Sequence, residues 1–530
     1  MTYFFQALKK YHLAFLSGFL IAFSYPPLGS WALTFCFVPL WILGTRLTSW
    51  KQVFFAGWIT QFTLSLIGFH WIAYTAHAFG NLPWALAVPA LLLFATFVHL
   101  HIPLALVITY FLNKNRSWPV PMVFLFYALL TNLLERVWPM IFPWHVGYSL
   151  LFSRLEAFQL AEWIGFSGLS GLILLINAVM AVAAYYYSQS KAKSGLAVGF
   201  AVFLFFCLTV LGSVMKPDVK SESSINVLIV QANIGQLDKV LAEKNLKANQ
   251  GEIQQAVMDR YFALTNKALQ SFPETQLIVW PETALADYLD VDYLSRTRQL
   301  QLRSQILTWN KALITGAYSR EFGTDQVYNG LFFFNAQGQL TDSAYRKSQL
   351  LAFGERLPFG DVFPWLYDLL PFVSSFATGP GPQIKKLQIE DKTYFVAPQI
   401  CYESLYPWFT RQGAGLGADL IVNVTNDSWF GKTFEPFQHA TMTWARAIET
   451  RRPLIRSTNT GQSSVISETG TVLMKSPLGQ EWFEMVKLPV PPQRQTFYMK
   501  YGHLDWVLHL VFLLGSLGGL HYHGRKKKNV

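Results

Sequence analysis

L-I-V-W-P-E-T, residues 277–283, decides the fold of the polar half of this chain. Leu277-Ile278-Val279-Trp280 reads as a strand, and Glu282 stands just past its end. Two stretches of the same kind follow. Y-R-K at 345–347 comes after the strand-hairpin pattern of 328–340, and I-C-Y-E at 400–403 ends the β-rich run Tyr394-Phe395-Val396-Ala397. A carboxylate (Glu282), an ammonium (Lys347) and a thiol (Cys401) at strand ends are the parts needed to make a thiolate, stabilise an oxyanion and carry acyl transfer through a thioester.

Outward from these stretches, strand-like runs at 225–233, 277–282, 312–319, 328–335, 393–401, 419–425 and 453–467 are interleaved with helical patterns at about 250–271, 294–310 and 437–450. Such alternation predicts an α/β or layered α-β sandwich. Met215–Ser224 is a polar linker into this domain. The apolar, Pro- and Phe-rich stretch 357–377 stands out within it and reads either as a core helix or, given its flanking prolines and the G-P-G-P at 379–382, as a lid.

The rest of the chain is far more apolar. Over 530 residues, 52% are hydrophobic and 14% charged, too apolar for an ordinary soluble enzyme. Spans of the length a bilayer requires are predicted near 11–27, 31–46, 54–76, 84–112, 119–137, 160–187, 195–214 and 503–521, eight in all. Expected domains are therefore a seven-span region at 1–215, an extramembrane catalytic domain at 216–500, and a final span with a basic tail at 501–530. Lys9, Lys10, Arg46, Lys51, Lys114, Arg116, Lys191, Lys193 and Arg525–Lys528 all fall on one side of that arrangement, which predicts cytoplasmic termini and the 216–500 domain on the opposite face.

These loops largely account for the net charge of +11, and no nucleic-acid-binding motif accompanies it. Of Cys36, Cys207 and Cys401, only Cys401 lies in the polar domain, leaving it without an internal disulfide partner. Neither cysteines nor histidines have metal-ligand spacing. His439, in Q-H-A, reads as a hydrogen-bonding or packing residue in preference to the base of a Cys–His dyad.

Further stretches align with a known family. S-Y-P-P at 24–27, F-P-W-H-V-G-Y-S at 142–149, V-Q-A-N-I at 230–234, K-S-Q-L-L-A-F-G-E-R-L-P at 347–358, N-D-S-W-F-G at 426–431 and R-P-L-I-R-S-T-N-T-G at 452–461 occur in order with the three stretches above. In this the sequence resembles the apolipoprotein N-acyltransferases, the membrane-bound branch of the nitrilase (carbon-nitrogen hydrolase) superfamily. The resemblance implies a polytopic helical membrane domain plus an α-β-β-α nitrilase-like sandwich. It implies Glu282, Lys347 and Cys401 as a catalytic triad, with Glu355, Tyr402 and Glu403 in support. It also implies a phospholipid acyl donor, a diacylglyceryl-modified apolipoprotein as acceptor, no cofactor or metal, and a bacterial inner membrane with the catalytic domain in the periplasm. Val240, Ala352 and Arg356 depart from the family pattern.

A diacyl phospholipid leaves a bilayer only at high cost, since each exposed CH₂ costs about 0.8 kcal/mol. An apolar entrance is therefore expected, with Phe359, Phe363 and Trp365 of the 357–377 stretch facing lipid and Trp144 contributing a membrane-side wall. Two other classes suit such a chain: a membrane-tethered amidase or nitrilase that delivers its acyl group to water, and a non-enzymatic transporter or scaffold, which the polar-poor spans disfavour.

Overall fold

A computed structural model describes the chain apart from residues 1, 117, 219–220, 222, 236–249, 291–295, 322, 370–372, 505–506, 508–509, 512 and 516–530. Val240 and most of the expected last span lie outside the described residues. The chain divides into two compact units, one of Met1–His77, Leu82–Lys216 and Lys500–Val530, the other of Ala78–Asn81 and Pro217–Met499.

The first unit is helical. Among the described residues, Trp84–Asn113, Val120–Val137, Glu156–Tyr186 and Lys191–Met215 are long and apolar enough to cross a bilayer. Trp50–Gly68 with Trp71–Ala78, bent by 53°, adds a fifth if the pair counts as one span. Of the eight expected spans, four or five meet that test among the described residues, and most of the last lies outside them. The second expected span has only nine helical residues, Val38–Arg46, because turns occupy 31–37, and nine residues rise about 13 Å against a core of about 30 Å. Thr2–Ala22 is helical, but Lys9, Lys10 and His12 within it dilute its apolar character. In Lys191–Met215, Leu196, Val202, Phe203, Phe206 and Val214 are each at least 62% exposed, a surface that suits hydrocarbon and not water.

The second unit is built on two sheets. The first runs β13-β1-β2-β4-β5-β6, with β3 also on β4. Its strands are β1 (Ser223–Gln231), β2 (Leu277–Val279), β3 (Leu285–Tyr288), β4 (Ala312–Arg320), β5 (Val327–Phe334), β6 (Tyr345–Arg346) and β13 (Trp482–Val490). The second runs β12-β11-β10-β9-β8-β7: β7 (Lys385–Ile389), β8 (Lys392–Ile400), β9 (Leu420–Thr425), β10 (Leu454–Thr458), β11 (Ser464–Ile466) and β12 (Val472–Lys475). In each sheet the central pairs are parallel (β1–β2, β2–β4; β8–β9, β9–β10) and the outer pairs antiparallel. Strands buried on both faces must carry near-continuous apolar runs, as Leu277–Val279 does.

Helices Gln250–Ser271 and Arg296–Trp309 cover the first sheet through Met258, Tyr261, Leu302 and Ile306, packed on Leu228, Val230 and Ile278. Helices Pro407–Gly415 and Glu435–Thr450 cover the second. The order of layers is α-β-β-α. The seam between the sheets is partly polar: Gln231 Oε1 accepts from Ser463 Oγ at 2.6 Å, Ser476 Oγ at 3.0 Å and Thr458 Oγ1 at 3.1 Å. The two parallel cores place the ends of β2 and β8 at one edge of this seam, and the candidate site forms there.

Candidate active site

Trp280, fully buried with its Nε1 donating to Thr265 Oγ1 at 3.1 Å, anchors the end of β2. The chain then turns sharply. Thr283 has φ of +50°, a conformation a β-branched residue adopts only under constraint, and the backbone of Pro281–Thr283 crosses Gly316 of β4 so closely that a side chain there would lie 2.6–2.7 Å from backbone atoms. This turn fixes Glu282, which is buried.

Three segments converge on its carboxylate, two from the first-sheet side and one from the second. Asn329 of β5 donates Nδ2 to Glu282 Oε1 at 2.7 Å and to Glu355 Oε1 at 3.1 Å. Lys347, one residue past β6 and 1% exposed, holds Nζ 2.8 Å from the Glu355 carboxylate and 3.3 Å from Glu282 Oε1. The Leu351 and Asn426 backbone N–H groups complete the two acids, donating to Glu355 Oε2 at 2.9 Å and Glu282 Oε2 at 2.8 Å. A cavity of about 500 Å³ opens over this cluster, lined by Glu282, Asn329, Glu355, Tyr318, Phe376 and Trp429.

Cys401 opens a 3₁₀ turn, Cys401–Leu405, directly after β8. Its φ is +52°, so the nucleophile candidate, like the residue after Glu282, sits in a strained left-handed conformation. Its carbonyl accepts from Ser404 Oγ at 3.0 Å and Asn423 Nδ2 at 3.4 Å.

The charges of these groups are felt mutually. Burial and the negative charge of Glu282 push the Cys401 thiol well above its ordinary value, while the Lys347 ammonium opposes them. Burial raises Glu282 above the ordinary carboxylate value, against the pull of Lys347, and Glu355 raises it further. For Lys347, burial disfavours the ammonium, but Glu282, Glu355 and Cys401 outweigh it and hold the amine protonated. The acid and the thiol thus feel each other's charge in one buried site, next to a fixed cation. That set can deprotonate a thiol and stabilise an adjacent oxyanion.

Glu403 is fully buried and held on both carboxylate oxygens. Its Oε1 accepts from the Tyr345 hydroxyl at 2.7 Å, Ser348 N at 2.7 Å, Ser348 Oγ at 3.1 Å and Gln349 N at 3.2 Å, and its Oε2 accepts from Ile400 N at 2.7 Å. It thus ties the segment bearing Lys347 to the turn bearing Cys401. Tyr402 is buried, edge-on to Tyr406 at 5.2 Å between ring centroids.

The sequence reading did not single out Asn329 or the Asn426 N–H. The signal for Asn329 is its amide within the otherwise apolar V-Y-N-G-L-F-F-F of β5. A lone amide in a buried strand requires a polar partner.

Phe359, Phe363 and Trp365 are 74%, 47% and 56% exposed, on a segment whose regular structure among the described residues is the short helix Trp365–Leu369. Phe353 and Phe359 both have positive φ, +63° and +62°. Trp144 is fully buried in the first unit, packed on Tyr25 and Tyr148. Ala352 bridges Arg356 through the backbone, and the Arg356 side chain pairs with Asp361.

Comparison with known proteins covers both units. Residues 227–487 match the carbon-nitrogen hydrolase family, and residues 17–179 match the apolipoprotein N-acyltransferase N-terminal domain. Over 518 residues the chain is 46% identical to an apolipoprotein N-acyltransferase of Bdellovibrio bacteriovorus, covering 96% of this chain and 93% of that one. It is 32% identical to the Pseudomonas syringae pv. tomato protein of the same name, covering 95% and 94%. Among solved structures, an amidase of Nesterenkonia sp. AN1 carrying an acetamide group on its active-site cysteine matches 55% of this chain and 99% of its own length, at 18% identity and a TM-score of 0.39.

Proposed function

The chain belongs to the apolipoprotein N-acyltransferase family, and on that premise we propose that it moves an acyl chain from a phospholipid, by way of a thioester on Cys401, to the α-amine of an S-diacylglyceryl cysteine at the N-terminus of a lipoprotein. Glu282 takes the thiol proton of Cys401, and the thiolate attacks the ester carbonyl. Lys347 and the backbone N–H of Tyr402 stabilise the tetrahedral oxyanion, and loss of one such donor typically costs about 100- to 1,000-fold in rate. The lysophospholipid alkoxide leaves with the proton held by Glu282, so ester and thiol become thioester and alcohol. The amine then attacks the thioester, Glu282 accepts its proton, and the thiol is regenerated as the amide forms. Neither step changes oxidation state.

In this reading Glu355 holds Lys347 and, with Asn329, fixes Glu282, while Glu403 keeps the Lys347 and Cys401 segments in register. Supporting it is one observation above the rest: Glu282, 65 positions before Lys347, shares with Lys347 and Glu355 a buried hydrogen-bonded cluster whose charges act on the Cys401 thiol. The exposed Phe359, Phe363 and Trp365 serve as the entrance for the acyl ester. The asymmetry of basic residues supports a catalytic unit in the periplasm with both termini in the cytoplasm.

Intact-mass measurement after mixing with phospholipid tests the proposal. An acyl-sized increase that maps to Cys401, and that passes to an added diacylglyceryl peptide as N-acyl product, is the expected result. Release of free fatty acid in place of the N-acyl peptide would falsify the transferase step.

A further inference from the structure

A second buried polar group lies behind the Cys401 turn. His439, on the Glu435–Thr450 helix and 2% exposed, has its Nε2 3.3 Å from the carbonyl oxygen of Cys401. Its Nδ1 is 3.3 Å from Asp427 Oδ1 and 3.4 Å from Glu435 Oε1. Asp427 is paired through Oδ2 with Arg456 at 2.9 Å, so it is an ionised acceptor; burial works against its charge and Arg456 more than restores it. A carbonyl oxygen only accepts, and so does an ionised carboxylate. Nε2 therefore faces the Cys401 carbonyl and Nδ1 lies at ion-pair distance from Asp427, and the doubly protonated ring carries a proton toward both acceptors. The Ser404 hydroxyl, 3.4 Å from Nε2, does not supply a proton there, because the Cys401 carbonyl at 3.0 Å and Thr443 Oγ1 at 2.8 Å are nearer.

The carbonyl of Cys401 and the N–H of Tyr402 belong to one planar peptide and point in opposite directions. Whatever grips the oxygen therefore aims the N–H. The grip is needed because the residue that carries it is strained, at φ of +52°. We propose that His439, held as an imidazolium between Asp427 and Glu435, is a positioning residue that locks the Cys401–Tyr402 peptide so that the thiol and the oxyanion-binding N–H face the same substrate carbonyl.

Among the described residues, the charged groups that face His439 are Asp427 after β9, Glu435 one turn earlier on its own helix and Arg456 on β10. Burial and Arg456 disfavour the imidazolium, and the Asp427 and Glu435 carboxylates outweigh them, raising its pKa. The donor atoms of Asp427, Glu435 and His439 lie within 4.8 Å of one another, a spacing suited to a cation. Arg456 already supplies positive charge to that group.

The inference rests on Cys401 as the nucleophile, and the experiment separates the two. Full-length wild type, His439→Gln, Glu435→Gln and Cys401→Ala in detergent are compared for thioester formation from a dioleoyl phospholipid and for alkylation by iodoacetamide across pH 5.5–9.5, both read by intact mass. Gln keeps a neutral N–H donor and removes the charge. His439→Gln is expected to slow thioester formation at least about tenfold and to move the alkylation profile of Cys401 to higher pH. Glu435→Gln, which keeps the ring but removes one of its two carboxylates, is expected to lose thioester formation at lower pH than wild type on the alkaline side. A His439→Gln protein with both profiles unchanged overturns the proposal. If that variant does not fold, an unshifted alkaline limb in Glu435→Gln overturns it alone. A thioester persisting in Cys401→Ala would instead overturn the nucleophile assignment.

Discussion

Asn329 Nδ2 donates to Glu282 Oε1 at 2.7 Å, a shorter contact than the 3.3 Å between that oxygen and Lys347 Nζ. The neutral amide, together with the Asn426 N–H, fixes the acid in place, while Lys347 sits closer to Glu355. Asn329→Ala is expected to leave the protein folded and to slow thioester formation by about ten- to a hundredfold, the range for losing a hydrogen bond to a charged group. Asn329→Asp should be worse, because it adds a third carboxylate to a site with one ammonium. Burst kinetics with a chromogenic ester measure both, and an unaffected Asn329→Ala burst would remove the residue from the site.

The pH dependence has a defined sign. Burial chiefly, with help from Glu355, raises Glu282, and the reaction needs its ionised form. Thioester formation should therefore fall as pH drops through a value above the ordinary carboxylate range. Lys347→Met removes the cation that lowers both Glu282 and Cys401, so its residual activity should appear only at higher pH. Stability follows a separate rule at Glu435, which burial raises from 4.5 to about 7. The folded state binds that proton more tightly, so the contribution is full below about 4.5 and is lost as pH rises through about 7. Calorimetry of Glu435→Gln should show a flatter dependence of Tm on pH in that interval.

Gly316→Ala should disable the site through the backbone. The new Cβ would lie 2.6 Å from Thr283 N and 2.7 Å from both Glu282 Cα and Pro281 O. A loss of about 1–3 kcal/mol is expected from overpacking, together with lost activity as the Glu282 turn is pushed away. Gly415→Ala, with nothing within 4 Å of its Cβ, is the matched control and should do neither. Equal behaviour of the two variants in melting and turnover would show that the close crossing at Gly316 is unimportant.

Replacing Phe363 and Trp365 together by serine should slow thioester formation from a long-chain phospholipid while leaving Cys401 as reactive as before toward a small water-soluble thiol reagent. Both side chains are exposed, so the unit should melt normally. Normal phospholipid kinetics in that variant would mean that the acyl ester enters elsewhere.

Much of this architecture is legible in the sequence because parallel strands buried on both faces leave apolar runs such as Leu277–Val279 and Leu420–Val422, and these end abruptly where chemistry begins. β13 went unread: Trp482–Val490 is half-buried, contains Glu484 and Lys487, and owes its place to β1, more than 250 positions earlier. The run at 453–467 read as one strand but folds as β10 and β11, because Asn459–Ser463 reverses the chain and brings Ser463 to Gln231. In the site, residue types announced Glu282, Lys347 and Cys401. Their tethers did not show themselves, since a backbone N–H at 426 or an amide at 329 carries meaning only once two sheets have been brought face to face. A break in the helical unit is silent for a related reason. Hydropathy alone does not reveal that residues 31–37 turn.

The face-to-face arrangement makes the site a gauge of sheet registry. Glu282 and Lys347 hang from one sheet and Cys401 from the other, and the Gln231 cluster and Glu403 are the bolts across the joint. A misplacement of about 1 Å between reacting groups can cost about a hundredfold in rate. A slip of that size breaks few contacts elsewhere in so large a sandwich. On heating, activity should therefore fade while both sheets are still intact, and loosening a bolt such as Gln231 should widen the gap between inactivation and melting.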